Sequence, residues 1–205
     1  MTTALLQTTY FGPIQWYQKL HRYDHILIEQ HDSYQKQTFR NRCVIATANG
    51  LQALTVPVET TGQKCEVCDV RISDHNQWRR VHWNALQSAY SESPFFEYYA
   101  DDIRPFYEKR YRYLTEYNED IRQTLCQLID IEPTVDYTEA FVAPAAVTPP
   151  VADYRAVISA KHPQQDPDFE PRRYWQVFGS KLGFQPNLSI LDLLFNMGPE
   201  AIYYL

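Results

Sequence analysis

The sequence predicts an α/β (or α+β) domain, and three observations carry that prediction. A strand–helix–strand pattern opens the chain, an Asn49-Gly50 turn joins two apolar runs, and helical periodicity fills much of the rest. At 205 residues the chain is long enough for one sizeable core. We read residues 1–205 as a single domain with a βαβ start, a mixed sheet that includes the Asn-Gly hairpin, and several packing helices.

Residues 5–10 read as a strand, and Gly12-Pro13 then opens a short helix through Ile14, Trp16, Tyr17 and Leu20. His25–Gln30 is the next strand, which makes the first two strands a parallel pair. Phe39–Thr47 and Leu51–Val58 flank Asn49-Gly50, whose residues tolerate positive φ and therefore close a hairpin. Val67–Ser73 reads as another strand. Asp74 or Asn76 caps a helix on which Trp78, His82, Ala85 and Ala89 share a face. Asp101–Pro105 looks like a helix start, and the spacing of Tyr107, Tyr111, Leu114, Asn118, Ile121, Leu125 and Leu128 continues that helix to about Asp130. Pro-rich loops are expected near 140–153 and 162–171, with short strands over Tyr154–Ser159 and Arg173–Phe178. Ser189 and Asp192 have capping-box spacing at the start of a helix reaching Asn196, and Gly198-Pro199 separates it from a last short helix.

The net charge of −6 argues against general nucleic-acid binding, which needs a broad basic surface, but leaves room for a local basic pocket. No apolar run approaches membrane-spanning length, and the first residues lack a basic n-region, so membrane insertion is not expected and a cytoplasmic location is. Cys43, Cys65, Cys68 and Cys126 are too few for a disulfide scaffold. Cys65 and Cys68 form a lone CxxC without a second ligand pair at zinc spacing, so no metal site is expected.

The run from His31 to Arg42 concentrates cations in an acidic chain. If Arg40 and Arg42 lie in a strand they share one face and Asn41 takes the other; with Lys36 nearby they form a clamp for phosphate or pyrophosphate. Ordinary ion pairing with Glu29, Asp32 or Glu59 is the competing reading. His82 is either a general base or a satisfied core histidine. His31 is better placed than His25 for a ligand, because it follows a strand's carboxyl end. Cys43 reads as a nucleophile or, more ordinarily, a small buried hydrophobe. The turn Tyr10–Pro13 offers helix-start N–H groups to an anion, although its glycines are too sparse for a P-loop or dinucleotide fingerprint.

Several of these segments together resemble the WbqC-like proteins. They are Tyr10-Phe-Gly-Pro-Ile14, Tyr34–Arg42, Leu54-Thr-Val-Pro-Val58, Val70-Arg-Ile-Ser73, His82-Trp83, Tyr90–Phe96 and the ending Asn187–Gly198. The resemblance implies a bacterial protein associated with surface-polysaccharide (O-antigen) gene clusters. It implies a transferase that moves an acyl or aminoacyl group, from an acyl-CoA or carrier-protein thioester, onto a nucleotide-linked amino sugar. On that expectation Lys36, Arg40 and Arg42 hold phosphates, Asn41 belongs with them, Tyr10 and Tyr34 line the pocket, and His82 is the catalytic base. A non-catalytic binding or accessory protein of the same process is the alternative.

Overall fold

The computed structural model describes residues 2–59 and 64–205. In chain order the elements are β1 (Thr3–Gln7), α1 (Ile14–Arg22), β2 (His25–Glu29), β3 (Arg42–Thr47), β4 (Gly50–Thr55), α2 (Trp78–Tyr90), α3 (Phe96–Ile103), α4 (Pro105–Glu108), α5 (Leu114–Leu128), β5 (Val135–Tyr137), β6 (Val151–Asp153), α6 (Gly179–Leu182) and α7 (Ile190–Met197). The fold is mixed α/β. Four strands form an all-parallel sheet in the order β5-β2-β1-β6, so the expected βαβ start is its nucleus. The Asn-Gly hairpin forms a second, antiparallel sheet of its own, with Arg42 opposite Thr55 and Thr47 opposite Gly50.

Burial explains these roles. β1 is one of two inner strands of a sheet covered on both faces, and Ala4, Leu5 and Leu6 are all inaccessible in succession. α1 buries Trp16, Tyr17 and Leu20, and also Lys19, whose ammonium meets Asp166 at 2.8 Å and lies over the Tyr154 ring. That pair ties the polar 162–171 loop to the sheet. α2 buries Trp78, His82, Leu86 and Ala89, the expected stripe with Ala85 half-buried at its margin.

Several expected elements take a different form. Residues 67–69 make a 3-10 turn, and the extended stretch shrinks to residues 70–72, where Arg71 bridges Tyr113 and Ile72 bridges Val58. The long helix expected after Asp101 is broken in two places. Pro105 has no N–H to give, and residues 109–113 extend to pair with 70–72, where Ile72 N–H donates to the Arg112 carbonyl and Leu114 N–H to that of Val70. The strand expected over 154–159 sits earlier, at β6, and 173–178 is irregular. Asp74 does not cap α2; its carboxylate pairs with Arg79 and Arg110 instead.

Ser189 caps α7, accepting from the Leu191 N–H, but Asp192 does not complete a capping box. Its carboxylate turns inward and accepts from the Tyr174 and Tyr90 hydroxyls at 2.7 and 2.9 Å, from Gln176 at 3.0 Å and from Asn196 at 3.3 Å. α7 then ends at Gly198, which has φ +56° and lies where an added Cβ would come within 2.6 Å of the Phe95 ring. Both the backbone and the space require glycine there. No helix among the described residues is long and apolar enough to cross a membrane.

Gly198→Ala combines left-handed strain with overpacking against the partly buried Phe95 ring, so it should lower unfolding free energy by about 2–4 kcal/mol, read as a fall in urea midpoint at unchanged slope.

Candidate functional site

In a parallel sheet all carboxyl ends point the same way, and the loops leaving them converge. Here they enclose a cavity of about 630 Å³, bordered by Gln7 after β1, Asp32 and Arg40 after β2, Phe141 after β5, and Asp153 and Arg155 at the end of β6. Its charges are held by a buried network. Glu29, the last residue of β2, accepts from the His31 N–H at 2.8 Å, the Thr138 hydroxyl at 2.9 Å, the Val142 N–H at 2.9 Å and the Arg155 guanidinium at 3.1 Å. Arg155 also forks onto both carboxylate oxygens of Asp153, at 2.9 and 2.7 Å.

Arg40 is the second guanidinium of the cavity, and only 2% of it is exposed. It is not in a strand. It ends the turn before β3, so the face-sharing expected with Arg42 does not occur. The turn is fixed on both sides. Asn118 of α5 donates to the Arg40 carbonyl at 2.8 Å and to the Thr8 hydroxyl at 3.1 Å, and Asn41 donates to the Val56 carbonyl at 2.8 Å. The Arg40 side chain pairs with Asp32, while its Nε has no partner among the described residues. Burial lowers its pKa, and the Asp32 charge offsets part of that.

The other expected site residues distribute around this turn or away from it. Arg42 is half-buried at the start of β3 and donates to the Thr55 hydroxyl at 3.0 Å. Tyr34 is half-buried within the electrostatic reach of Arg40 and Arg42; burial raises its pKa and those cations counteract it. Lys36 is exposed on the turn and does not border the cavity. Of the expected phosphate clamp, then, only Arg40 faces this cavity.

Tyr10 and His82 belong to a separate buried cluster. His82 Nδ1 and the Tyr10 hydroxyl are 2.9 Å apart, and the Tyr107 hydroxyl lies 3.0 Å beyond. The Trp78 ring packs edge-on against the imidazole with centroids 5.1 Å apart. Together with Thr55, Pro57 and Trp78, His82 borders a shallow cleft of about 320 Å³, distinct from the strand-end cavity. Burial pulls its pKa down to about 4, partly offset by the Thr55 carbonyl, so the ring is neutral at pH 7. Cys43 is buried, and burial pushes its thiol up to about 12, which makes it the small buried hydrophobe rather than a nucleophile. The start of α1 offers no open anion site either. Ile14 N–H donates to the Leu188 carbonyl and Gln15 N–H to Asn187.

Glu29, Asn118, Asp153 and Arg155 were not among the expected site residues. Nothing local marks Arg155, whose partner Glu29 is 126 residues away. Asn118, a lone amide on an apolar helical stripe, was the one signal available.

The sequence profile of the WbqC-like protein family matches residues 7–164, a span that contains every cavity residue named above. The chain belongs to the WbqC-like family. The ending Asn187–Gly198 lies beyond the matched span. An uncharacterized protein of Mycobacterium tuberculosis is 29% identical to this WbqC-like chain, with 98% of this chain and 96% of that protein aligned. No solved structure matches the chain.

His82 has a direct consequence for acid stability. Between its ordinary pKa of 6.5 and its folded value of about 4, the unfolded chain takes up a proton that the folded chain does not, so stability falls as pH drops through that window. The full contribution is about 3 kcal/mol. Urea unfolding from pH 7 to pH 4 should therefore be less steeply pH-dependent in His82→Gln than in the parent, and equal slopes would contradict a buried neutral imidazole.

Proposed function

We propose that this WbqC-like protein acts in bacterial surface-polysaccharide (O-antigen) synthesis by binding a phosphorylated small molecule, a nucleotide-linked amino sugar, in the strand-end cavity. The observation that carries this reading is Arg40, a buried guanidinium bordering a cavity at the carboxyl ends of parallel strands, with one N–H unpartnered among the described residues. A buried donor without a partner costs roughly 1–3 kcal/mol, a cost that a ligand rearranging this guanidinium can recover. The cavity volume of about 630 Å³ lies within the range usual for small-molecule sites. Phe39, Phe141 and Ile158 supply apolar wall, and Gln7, Gln35 and Ser159 supply neutral hydrogen-bonding groups for a sugar.

The guanidiniums of the cavity are already balanced by carboxylates, so an incoming phosphate binds by exchange. Asp32, whose side chain is partly exposed, occupies Arg40 in the absence of ligand, and phosphate takes its place. Arg155 is held from three sides and serves mainly to keep the strand ends together.

The reaction we attach to this site is acyl or aminoacyl transfer onto the amino sugar from an acyl-CoA or carrier-protein thioester. His82 is the candidate base, with Tyr10 orienting its ring. A non-catalytic accessory protein is the second reading, favoured by one observation: His82 borders its own cleft and not the strand-end cavity.

Calorimetric titration with a panel of nucleotide-linked amino sugars tests the binding site. Arg40→Gln should weaken binding tenfold or more, about 1.4 kcal/mol, while Arg42→Gln leaves it unchanged. Asp32→Asn removes the internal competitor and should tighten binding. Equal loss in Arg40→Gln and Arg42→Gln, or weaker binding in Asp32→Asn, contradicts the exchange. His82→Ala then separates the two readings, because a base is required for turnover but not for affinity.

A further inference from the structure

The His31–Glu66–Cys68 corner is not explained by the strand-end cavity. His31 Nδ1 and the Glu66 carboxylate are 2.8 Å apart, and the Cys68 Sγ lies 4.0 Å from that nitrogen and 3.7 Å from that oxygen. All three donor atoms fall within 4.8 Å of one another. A tetrahedral zinc ion has bonds of about 2.0–2.3 Å, which sets its donors roughly 3.3–3.7 Å apart. The imidazole–carboxylate pair must open by about half an ångström and the thiol must close by a few tenths to reach that spacing.

The backbone holds this arrangement ready. The residues after β2 and the 65–68 turn are zipped together. Tyr34 N–H donates to the Cys65 carbonyl at 2.8 Å, Val67 N–H to Asp32 at 3.0 Å and Cys68 N–H to Gln30 at 2.9 Å, and Ser33 bridges Glu66. Three main-chain bonds across two short segments keep the donors facing each other without a metal. The Thr138 carbonyl also meets the His31 ring, the kind of partner that orients metal-bound imidazoles. His31 and Glu66 are 28% and 53% exposed as side chains, so an ion can reach them.

We propose that His31, Glu66 and Cys68 form a binding site for a zinc-class divalent cation. The expectation from sequence was that no metal site exists, because the CxxC lacked a second ligand pair. The fold supplies that partner from the end of β2, 37 residues before Cys68. The ligand set selects the metal. A thiolate with an imidazole suits zinc, whereas calcium and magnesium need oxygen ligands throughout. Three protein ligands leave a fourth position, filled by water or by Cys65, whose sulfur now rests on the Glu66 carbonyl at 3.3 Å. Binding converts the Cys68 thiol to a thiolate and releases its proton, together with the His31 proton when that ring is charged, so affinity rises with pH. This site does not depend on what the strand-end cavity binds.

Untagged full-length protein, kept reduced and stripped with a chelator, should be titrated with cobalt(II) and separately with zinc under competition from a chromophoric chelator. The expected result is one equivalent of metal, thiolate-to-cobalt charge-transfer absorption, and tetrahedral ligand-field bands. Cys68→Ser should at least halve the charge-transfer band and weaken affinity, and His31→Gln should weaken affinity at least tenfold. Cys43→Ser should leave both unchanged. His31 and Cys68 are both partly exposed, and circular dichroism confirms that each variant is folded. If folded Cys68→Ser binds cobalt as the parent does, or the parent takes up no metal, the proposal is wrong.

Discussion

Everything around the strand-end cavity of this molecule depends on the buried carboxylate of Glu29. A charge with no access to water must be fully hydrogen-bonded, and Glu29 meets that demand with donors from three separate segments: the turn after β2, the chain after β5, and Arg155 after β6. One carboxylate therefore joins the exits of three parallel strands. Such a pair contributes little net stability against an apolar alternative, but losing one partner is severe, about 3–5 kcal/mol, because the other charge is stranded. Its effect is to select one arrangement of the loops. β5 and β6 are only three residues long, too short to be held by their ladders alone, and the network fixes where the chain goes after them.

The cavity inherits its character from that constraint. Its guanidiniums are Arg40 and Arg155, and Asp32, Asp153 and Glu29 outnumber them, so it is not a basic pit that attracts any anion. A ligand must offer Arg40 something better than Asp32 does. That requirement favours a bidentate, doubly charged group over a single carboxylate, because a guanidinium fork matches phosphate oxygens in both geometry and charge. His82 follows the opposite logic. Desolvation keeps it neutral inside an aromatic shell of Tyr10, Trp78 and Tyr107, where the Tyr10 hydroxyl and the Thr55 carbonyl engage its ring. The strand-end cavity is built from paired charges, the His82 cluster from uncharged polar groups.

What was legible in the sequence was what local physics decides. The βαβ start, the Asn-Gly hairpin, the α2 stripe and the Ser189 cap of α7 each rest on periodicity, capping or turn chemistry between near neighbours, and each is present. The long helix after Asp101 was misread because the heptad-like spacing runs on through Pro105 and through residues 109–113, which pair with 70–72 instead. Strands as short as β5 and β6 have no periodicity to detect. Arg40 was singled out by residue type, but its strand placement was wrong because the turn is set by Asn118, 78 residues later. Asp192 had capping-box spacing, yet two tyrosine hydroxyls and two side-chain amides outbid the single backbone N–H of its own helix. In each miss a contact distant in sequence overrode a sound local preference.

Asp32 shows how a fixed backbone and an exchangeable side chain coexist at one residue. Its carbonyl accepts the Val67 N–H at 3.0 Å, within the ladder that also binds Tyr34 to Cys65 and Cys68 to Gln30. Its carboxylate pairs with Arg40. The main chain of residue 32 is therefore held by the 65–68 turn independently of where its side chain points. Releasing Arg40 needs only rotation about side-chain bonds, with no loop movement and little ordering entropy to restore afterwards. The neighbouring His31 draws its orientation from the same ladder, since the bonds on either side of it fix its backbone and Glu29 accepts its N–H. A cation that bridges His31 to Glu66 and Cys68 would add a side-chain cross-link to a connection already made by the main chain. It would stiffen the platform from which Asp32 reaches the cavity, while leaving the Asp32 carboxylate free to yield Arg40 to a phosphate.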